Sequence, residues 1–257
     1  MTHFIDLSRG ALIACIVLIC VSSVTTAQTS GENAQEAQRL TRVAQVAQQQ
    51  GRNDDAIKAY ETIALIAKSS PQIAAAALLS AGNIYMSLGK FEQAATAFRR
   101  SIALDANSAE AQNNLGEALG ELKQYPRALE AFQQAVALDN GFVKARYNMG
   151  VTYDRLGQLK YAEFVYRILI RDHPDFAMAY DSMAVTLSKS GRAREAIAFH
   201  QKAISLNPND PSFYYNFAVS YLMLGDLKRA EQQQQILRNL DPAMADHLAT
   251  VIAKHQK

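Results

Sequence analysis

Histidine is the side chain best suited here to bind a metal ion or move a proton, and its spacing favours neither role. After residue 27 the histidines are His173, His200, His247 and His255. No two of them lie three or four residues apart, the spacing that brings two rings on one helix to the same metal ion. The sequence also contains no glycine-rich phosphate loop and no GxSxG motif. We therefore expect no catalytic site, no cofactor and no metal site, and do not predict an enzyme.

Both cysteines of the sequence, Cys15 and Cys20, lie in a segment with the features of an export signal. Arg9 precedes an unbroken apolar run over residues 11–21, and SSVTTAQ follows that run. A positive residue, a short apolar core and a small-residue ending are typical of a secretory signal peptide. The run is also too short to span a bilayer, which needs about 20 residues. We expect cleavage after Ala27 and a mature protein without cysteine, exported to the periplasm or secreted.

A lipid-anchored N-terminus is the alternative interpretation of the same segment. Residues 12–15 resemble a bacterial lipobox, but only four apolar residues precede Cys15 in the run. Cys20 follows a longer apolar stretch, but the bulky Ile19 stands where that motif has a small residue. Lipidation at Cys15 or Cys20, or an uncleaved anchor, therefore remains open beside cleavage.

The composition favours packed helices and argues against nucleic-acid binding. The 257 residues carry a formal net charge of only +2, without the basic field that nucleic-acid binding uses. Hydrophobic residues make up 49% of the chain, with 12 Gly and 6 Pro, which is typical of helical packing rather than disorder.

Two slots for small residues recur every 34 residues along the chain. They lie 12 residues apart within each repeat and remain in register over five repeats. Small side chains let two helices approach closely, so this period predicts an array of helix hairpins. The residues in the first slot are Gly82, Gly116, Gly150, Ala184 and Ala218, and those in the second are Ala94, Ala128, Ala162, Ala196 and Ala230.

The turns within the hairpins have their own signature. A glycine recurs where the first helix needs a left-handed residue at its end, except that Lys123 fills this slot in the third repeat. Asp210 and Pro211 form a good N-cap and first-turn pair. His200 and Gln234 occupy the slot where other second helices have an aromatic residue, so we expect looser packing there. The turn glycines are Gly51, Gly89, Gly157, Gly191 and Gly225.

These residues resemble the tetratricopeptide repeat family over residues 37–244. The signature is carried by Leu115-Gly116, by Met149-Gly150 with Tyr153, Ala162 and Tyr166, and by Phe217-Ala218. The resemblance implies an all-α fold, a right-handed α-solenoid of helix hairpins closed by a C-terminal capping helix. We expect a signal peptide at 1–27, a flexible lead at 28–36, a capping helix at 245–257, and six repeats at 37–70, 75–108, 109–142, 143–176, 177–210 and 211–244.

The resemblance also implies a concave groove lined by the first helices, and it places two stripes of residues there. One stripe carries side-chain amides that could bond a peptide backbone, and the other is apolar. The alternative for the amides is that they hold adjacent helices together, and for the apolar residues that they pack against the next repeat. The first stripe is Asn114, Asn148 and Asn216, and the second is Val151, Val185 and Val219 with Tyr147, Tyr215 and Leu222.

Together these features predict a non-catalytic protein-interaction scaffold of the cell envelope. Its partner would be a protein or peptide held in the groove, with no nucleic acid and no membrane span after signal cleavage. Two alternatives remain. One is an assembly factor for a pilus or an outer-membrane complex, which would be lipoprotein-like, and the other is an accessory subunit of an enzyme complex.

Overall fold

In a computed structural model, the described residues are 32–255, and they form thirteen α-helices and no strand. None of these helices is long and apolar enough to cross a membrane. The predicted signal peptide, its cleavage after Ala27 and lipidation at Cys15 or Cys20 lie outside the described residues. The helices are α1 at residues 32–49, α2 Asn53–Ile66, α3 Pro71–Ser87, α4 Phe91–Leu104, α5 Ala109–Glu121, α6 Tyr125–Leu138, α7 Val143–Arg155, α8 Leu159–Asp172, α9 Ala177–Lys189, α10 Ala193–Leu206, α11 Pro211–Met223, α12 Leu227–Leu240 and α13 Pro242–His255.

The chain divides into two compact halves, an N-terminal half that ends at Ala118 and a C-terminal half that begins at Leu119. In the N-terminal half, α2 packs against α3 and α3 against α4. In the C-terminal half, every helix from α6 to α13 packs against the next one along the chain. There α7 also contacts α9, α9 contacts α11, and α11 contacts α13. The first helices of successive hairpins are therefore neighbours, and α13 takes the place of a further first helix.

In the second and fourth repeats, the small residue of the first helix makes room for an aromatic ring of the second helix. A Cβ atom added to Gly82 would lie 2.4 Å from Cε1 of Phe98, and one added to Gly150 would lie 2.7 Å from Cε1 of Tyr166. The five alanines of the other small-residue slot are completely buried. The 34-residue period thus corresponds to the packing of helix on helix, as predicted.

The hairpin turns have the predicted backbone conformation. The five turn glycines have φ between 68° and 78°, and Lys123 has φ 58°. Lys123 is the one non-glycine residue with positive φ among the described residues. At the start of α11, a carboxylate oxygen of Asp210 accepts a hydrogen bond of 3.0 Å from the backbone N–H of Ser212, which is the predicted N-cap.

Two local expectations are corrected. Residues 32–36, predicted as part of a flexible lead, are helical, because the buried Ala37 and an ion pair between Glu36 and Arg39 hold the first turns of α1. The expected looseness at His200 is wrong. Its ring is fully buried, bonded at both nitrogens and packed at 5.2 Å from the ring of Phe217.

Candidate functional site

A groove of about 320 Å³ lies across the first helices α7, α9 and α11 of the C-terminal half. Because these three helices are neighbours, side chains from three successive repeats reach one space. The side chains that line it are Tyr147, Val151, Asp154, Arg155, Tyr166, Met178, Asp181, Ser182, Val185, Lys189, Asp210, Ser212, Phe213 and Asn216.

Four of the nine predicted site residues, Tyr147, Val151, Val185 and Asn216, line this groove. The other five do not. Leu222 is only 5% exposed and belongs to the core of the last hairpin. Asn148 and Val219 are half-buried on α7 and α11 without reaching the groove, Tyr215 stacks at 5.7 Å on His247 of α13, and Asn114 lies in the N-terminal half.

The predicted asparagine stripe links neighbouring first helices. The Asn216 amide donates a hydrogen bond of 2.7 Å to Oδ2 of Asp181, and the Asn114 amide donates one of 2.9 Å to Oδ1 of Asn83. Each bond joins residues about one repeat apart in sequence, so one amide hydrogen of each side chain holds the scaffold together. For these two residues the structure supports the alternative reading, although the Asn216 side chain still lines the groove.

The groove is more polar than the valine stripe predicted. Carboxylates of Asp154, Asp181 and Asp210 line it beside Val151 and Val185. An ion pair joins Asp154 to Lys189 across two helices. The 34-residue period does not identify Asp154 and Asp210 as groove residues, because no aspartate recurs at their equivalent positions. Residues 34 and 68 positions beyond Asp154 are a serine and a leucine, so a search for stripes cannot find it.

Tyr147 gives the groove a fixed neutral phenol. Its hydroxyl lies 3.1 Å from Oγ of Ser182, and its ring meets Phe176 edge-on at 5.4 Å. Burial is the main cause that raises the pKa of Tyr147; the Ser182 hydrogen bond opposes burial more weakly, and the nearby carboxylates of Asp181 and Asp210 add smaller contributions that raise the pKa. The phenol therefore stays protonated near neutral pH and can both donate and accept a hydrogen bond.

Beneath the groove, a buried chain of polar groups resembles a Ser-His-Asp arrangement. His200 Nδ1 lies 2.9 Å from Oδ1 of Asp181, and His200 Nε2 lies 2.9 Å from Oγ of Ser220. Ser220 is only 1% exposed and its hydroxyl also lies 2.8 Å from that of Ser188. A substrate cannot reach a buried hydroxyl, so these bonds join α9, α10 and α11 rather than form a nucleophile. Within residues 32–255 no group of His, Cys, Asp and Glu has the geometry of a metal site.

Comparison with known families identifies the repeat. Five models described as the TPR or tetratricopeptide repeat match the chain, at residues 82–123, 109–142, 144–175, 177–210 and 201–232. No curated protein sequence matches it significantly.

Solved structures give the same result. The crystal structure of MamA is 30% identical, covers 65% of this chain and 95% of its own, and has a TM-score of 0.59. PilW, a widely conserved type IV pilus biogenesis factor, is 23% identical over 84% of this chain and 98% of its own, with a TM-score of 0.69. YrrB, a TPR protein with an unusual peptide-binding site, is 19% identical over 68% of this chain and 92% of its own, with a TM-score of 0.54. These matches confirm the predicted all-α solenoid of helix hairpins.

Proposed function

The chain belongs to the tetratricopeptide repeat family and is a protein-interaction scaffold, and we propose that it is a non-catalytic adaptor of the cell envelope. Its partner would be an extended peptide or a helix held in the groove across α7, α9 and α11.

The observation that carries this proposal is the fixed geometry of the groove wall. The hydrogen bonds between Tyr147 and Ser182 and between Asn216 and Asp181 hold four groove side chains in place before any partner arrives. A preformed site loses less conformational freedom on binding, so more of the contact energy remains as affinity. Val185 lies among these polar groups as a contact for an apolar side chain of the partner.

The envelope assignment rests on the signal-like segment at residues 1–27. An assembly factor in the same compartment is the second candidate, because the match to the pilus biogenesis factor PilW extends over 84% of this chain. Modification of Cys15 or Cys20 by lipid would favour that second candidate, and cleavage after Ala27 would favour the soluble adaptor.

Selection from a library of random linear peptides tests the groove. Peptides selected on the purified protein should bind Val185→Glu roughly tenfold more weakly or worse, because the new carboxylate places an unpaired charge against an apolar contact. They should bind Lys202→Glu normally, because Lys202 is exposed on α10 and does not line the groove. Equal binding to both variants would contradict the groove as the binding site.

Fusion of residues 1–27 to alkaline phosphatase tests export. This enzyme requires disulfides that form in the periplasm and not in the cytosol. We expect active phosphatase in intact cells, and loss of activity when Leu18 in the apolar run is changed to Arg. An inactive fusion would contradict the envelope assignment and leave groove binding unaffected.

A further inference from the structure

A second surface of the C-terminal half, on the second helix of the fourth repeat, exposes two large aromatic rings. Tyr161 and Phe164 of α8 are 61% and 63% exposed. They border a pocket of about 420 Å³ between α6 and α8, which also reaches Met149 of α7. None of the residues that line this outer pocket lines the groove.

These aromatic residues are peculiar to the fourth repeat. At the positions equivalent to Tyr161 and Phe164, the four other repeats that keep the 34-residue register have no aromatic side chain and mostly have polar or charged ones. A helix hairpin of this family therefore forms without aromatic side chains at these two positions. The equivalents of Tyr161 are Gln93, Arg127, Glu195 and Arg229, and those of Phe164 are Thr96, Glu130, Ala198 and Gln232.

The ring of Tyr161 is held in position rather than free in solvent. It stacks on the ring of Tyr153 of α7, with 5.4 Å between centroids and 26° between planes. The hydroxyl of Tyr153 in turn accepts a hydrogen bond of 3.0 Å from the side-chain amide of Gln133 on α6. Three helices thus fix one wall of the outer pocket, which lowers the ordering cost for an apolar group that enters it.

The charged side chains that line the outer pocket are Arg146, Arg171 and Asp172, and Lys160 and Arg167 are further exposed cations on α8. The side chains of Arg167 and Arg171 are 58% and 73% exposed, whereas those of their carboxylate partners, Glu163 and Asp172, are 18% and 35% exposed. Lys160, next to Tyr161, is also exposed. Each carboxylate is shared by two arginines: Glu163 bonds Arg167 and Arg192, and Asp172 bonds Arg171 and Arg146. A partner that enters the pocket therefore meets the exposed guanidinium of Arg171 at its wall.

We propose that the outer pocket is a second docking surface, which accepts a protein segment whose apolar side chains are flanked by carboxylates. Aromatic rings and arginines are the side chains that contribute most to binding at protein interfaces. The apolar side chains of the partner enter between α6 and α8, and a carboxylate beside them pairs with Arg171, which lines the pocket. Because the groove and the outer pocket share no residue, the scaffold holds two partners at once.

Selection of random linear peptides on the full-length Val185→Glu protein tests this surface with the groove impaired. The comparison variant is Tyr161→Arg with Phe164→Gln, which reproduces Arg229 and Gln232 of the sixth repeat and so has a matched precedent for folding. We expect enriched peptides with Leu or Phe beside Asp or Glu, and roughly tenfold weaker binding or worse to the comparison variant. Arg171→Gln should weaken the binding of the same peptides. Gln232→Glu in the sixth repeat changes the net charge by the same amount away from the outer pocket, so this control should leave their binding unchanged.

Several results would overturn the proposal. One is a set of peptides that bind the comparison variant as well as the parent, or that show no preference for carboxylates. Another is a dimer in analytical ultracentrifugation that the comparison variant abolishes, because a second copy would then cover the pocket. A third is binding to phosphatidylglycerol vesicles that depends on Tyr161 and Phe164, because the partner would then be a lipid surface. Far-UV circular dichroism of each variant verifies that a loss of binding is not a loss of folding.

Discussion

His200 Nδ1 lies 2.9 Å from Oδ1 of Asp181, and this contact joins the second helix of the fifth repeat to its first helix. The other ring nitrogen lies 2.9 Å from the hydroxyl of Ser220 on the next first helix. In the second and third repeats the same slot holds Phe98 and Phe132, which bury apolar rings without any such bond. The fifth repeat thus replaces apolar packing by a buried polar connection that also fixes a groove residue, Asp181.

Replacing His200 by Phe should destabilise the protein even though phenylalanine is the usual occupant of this slot. The ring would fit, but Oδ1 of Asp181 would lose its buried hydrogen-bond partner, which costs about 1–3 kcal/mol for an unsatisfied group, whereas the Ser220 hydroxyl would keep its contact with Ser188. The free energy of unfolding in urea measures the effect. Combining His200→Phe with Asp181→Ala should cost less than the sum of the two single changes. A fully stable His200→Phe protein would show that these bonds contribute nothing.

Two helical glycines should respond oppositely to alanine. Gly82→Ala should lower the free energy of unfolding by about 1–3 kcal/mol, because the new Cβ would lie 2.4 Å from the buried ring of Phe98. A Cβ atom added to Gly120 would have no neighbouring atom within 4 Å. Gly120→Ala should therefore raise the free energy of unfolding by up to about 1 kcal/mol, because alanine has the higher helix propensity. Thermal and urea unfolding compare the two. Equal effects at both sites would contradict the conclusion that Gly82 leaves space for the ring of Phe98.

The turn of the third repeat should be improved by glycine. Lys123 has φ 58°, a conformation that costs a residue with a Cβ about 1–2 kcal/mol. Relief of this strain in Lys123→Gly should stabilise the protein by about 1 kcal/mol. The greater conformational entropy of glycine in the unfolded chain should reduce that gain. Gly89, with φ 68° in the equivalent turn, is the matched control, and Gly89→Lys should destabilise. Melting temperatures that change in the same direction for both variants would contradict this account.

Glu163 should make stability depend on pH in the acid range. Burial acts to raise its pKa, but the hydrogen bonds and charges of Arg167 and Arg192 together outweigh burial and lower it below the ordinary value of 4.5. The folded protein thus holds the proton less readily than the unfolded chain. The stabilisation is present above about pH 4.5 and is lost as pH falls through the lowered pKa.

Replacement by an uncharged amide tests this dependence. The melting temperature of Glu163→Gln should fall less steeply than that of the parent protein below about pH 5. Added salt should reduce the difference, because the ion pairs are partly exposed. Glu92→Gln on the exposed surface of α4 is the control. If the melting temperature of Glu163→Gln fell as steeply with pH as that of the parent, the ion pair between Glu163 and Arg192 would not contribute to stability.

The sequence predicted the hairpins and their turns because both depend on residues that recur locally. Gly89 and Lys123 mark turns that need a left-handed residue, and the period alone identifies both. The groove was predicted in part, because Val151 and Val185 recur at 34 residues and project from neighbouring helices.

The rest of the site depends on contacts between repeats that carry no periodic signal. Asp154 pairs with Lys189 in the next repeat, and no equivalent carboxylate stands 34 residues further on. His200 appeared to be a poor substitute for an aromatic residue, because its partner Ser220 lies on a different repeat. The period does not identify Tyr161 and Phe164 on α8, because the helical pattern of the fourth repeat is complete without them.

In-cell photo-crosslinking at Val185 tests groove recognition most directly. A photo-reactive amino acid would replace Val185 in the groove, and in a second strain Lys202 on the exposed face of α10. We expect mass spectrometry to identify a discrete protein crosslinked at Val185 and absent at Lys202. Equal crosslinking at the two positions, or none at Val185 in cells where the protein is exported and folded, would contradict the account.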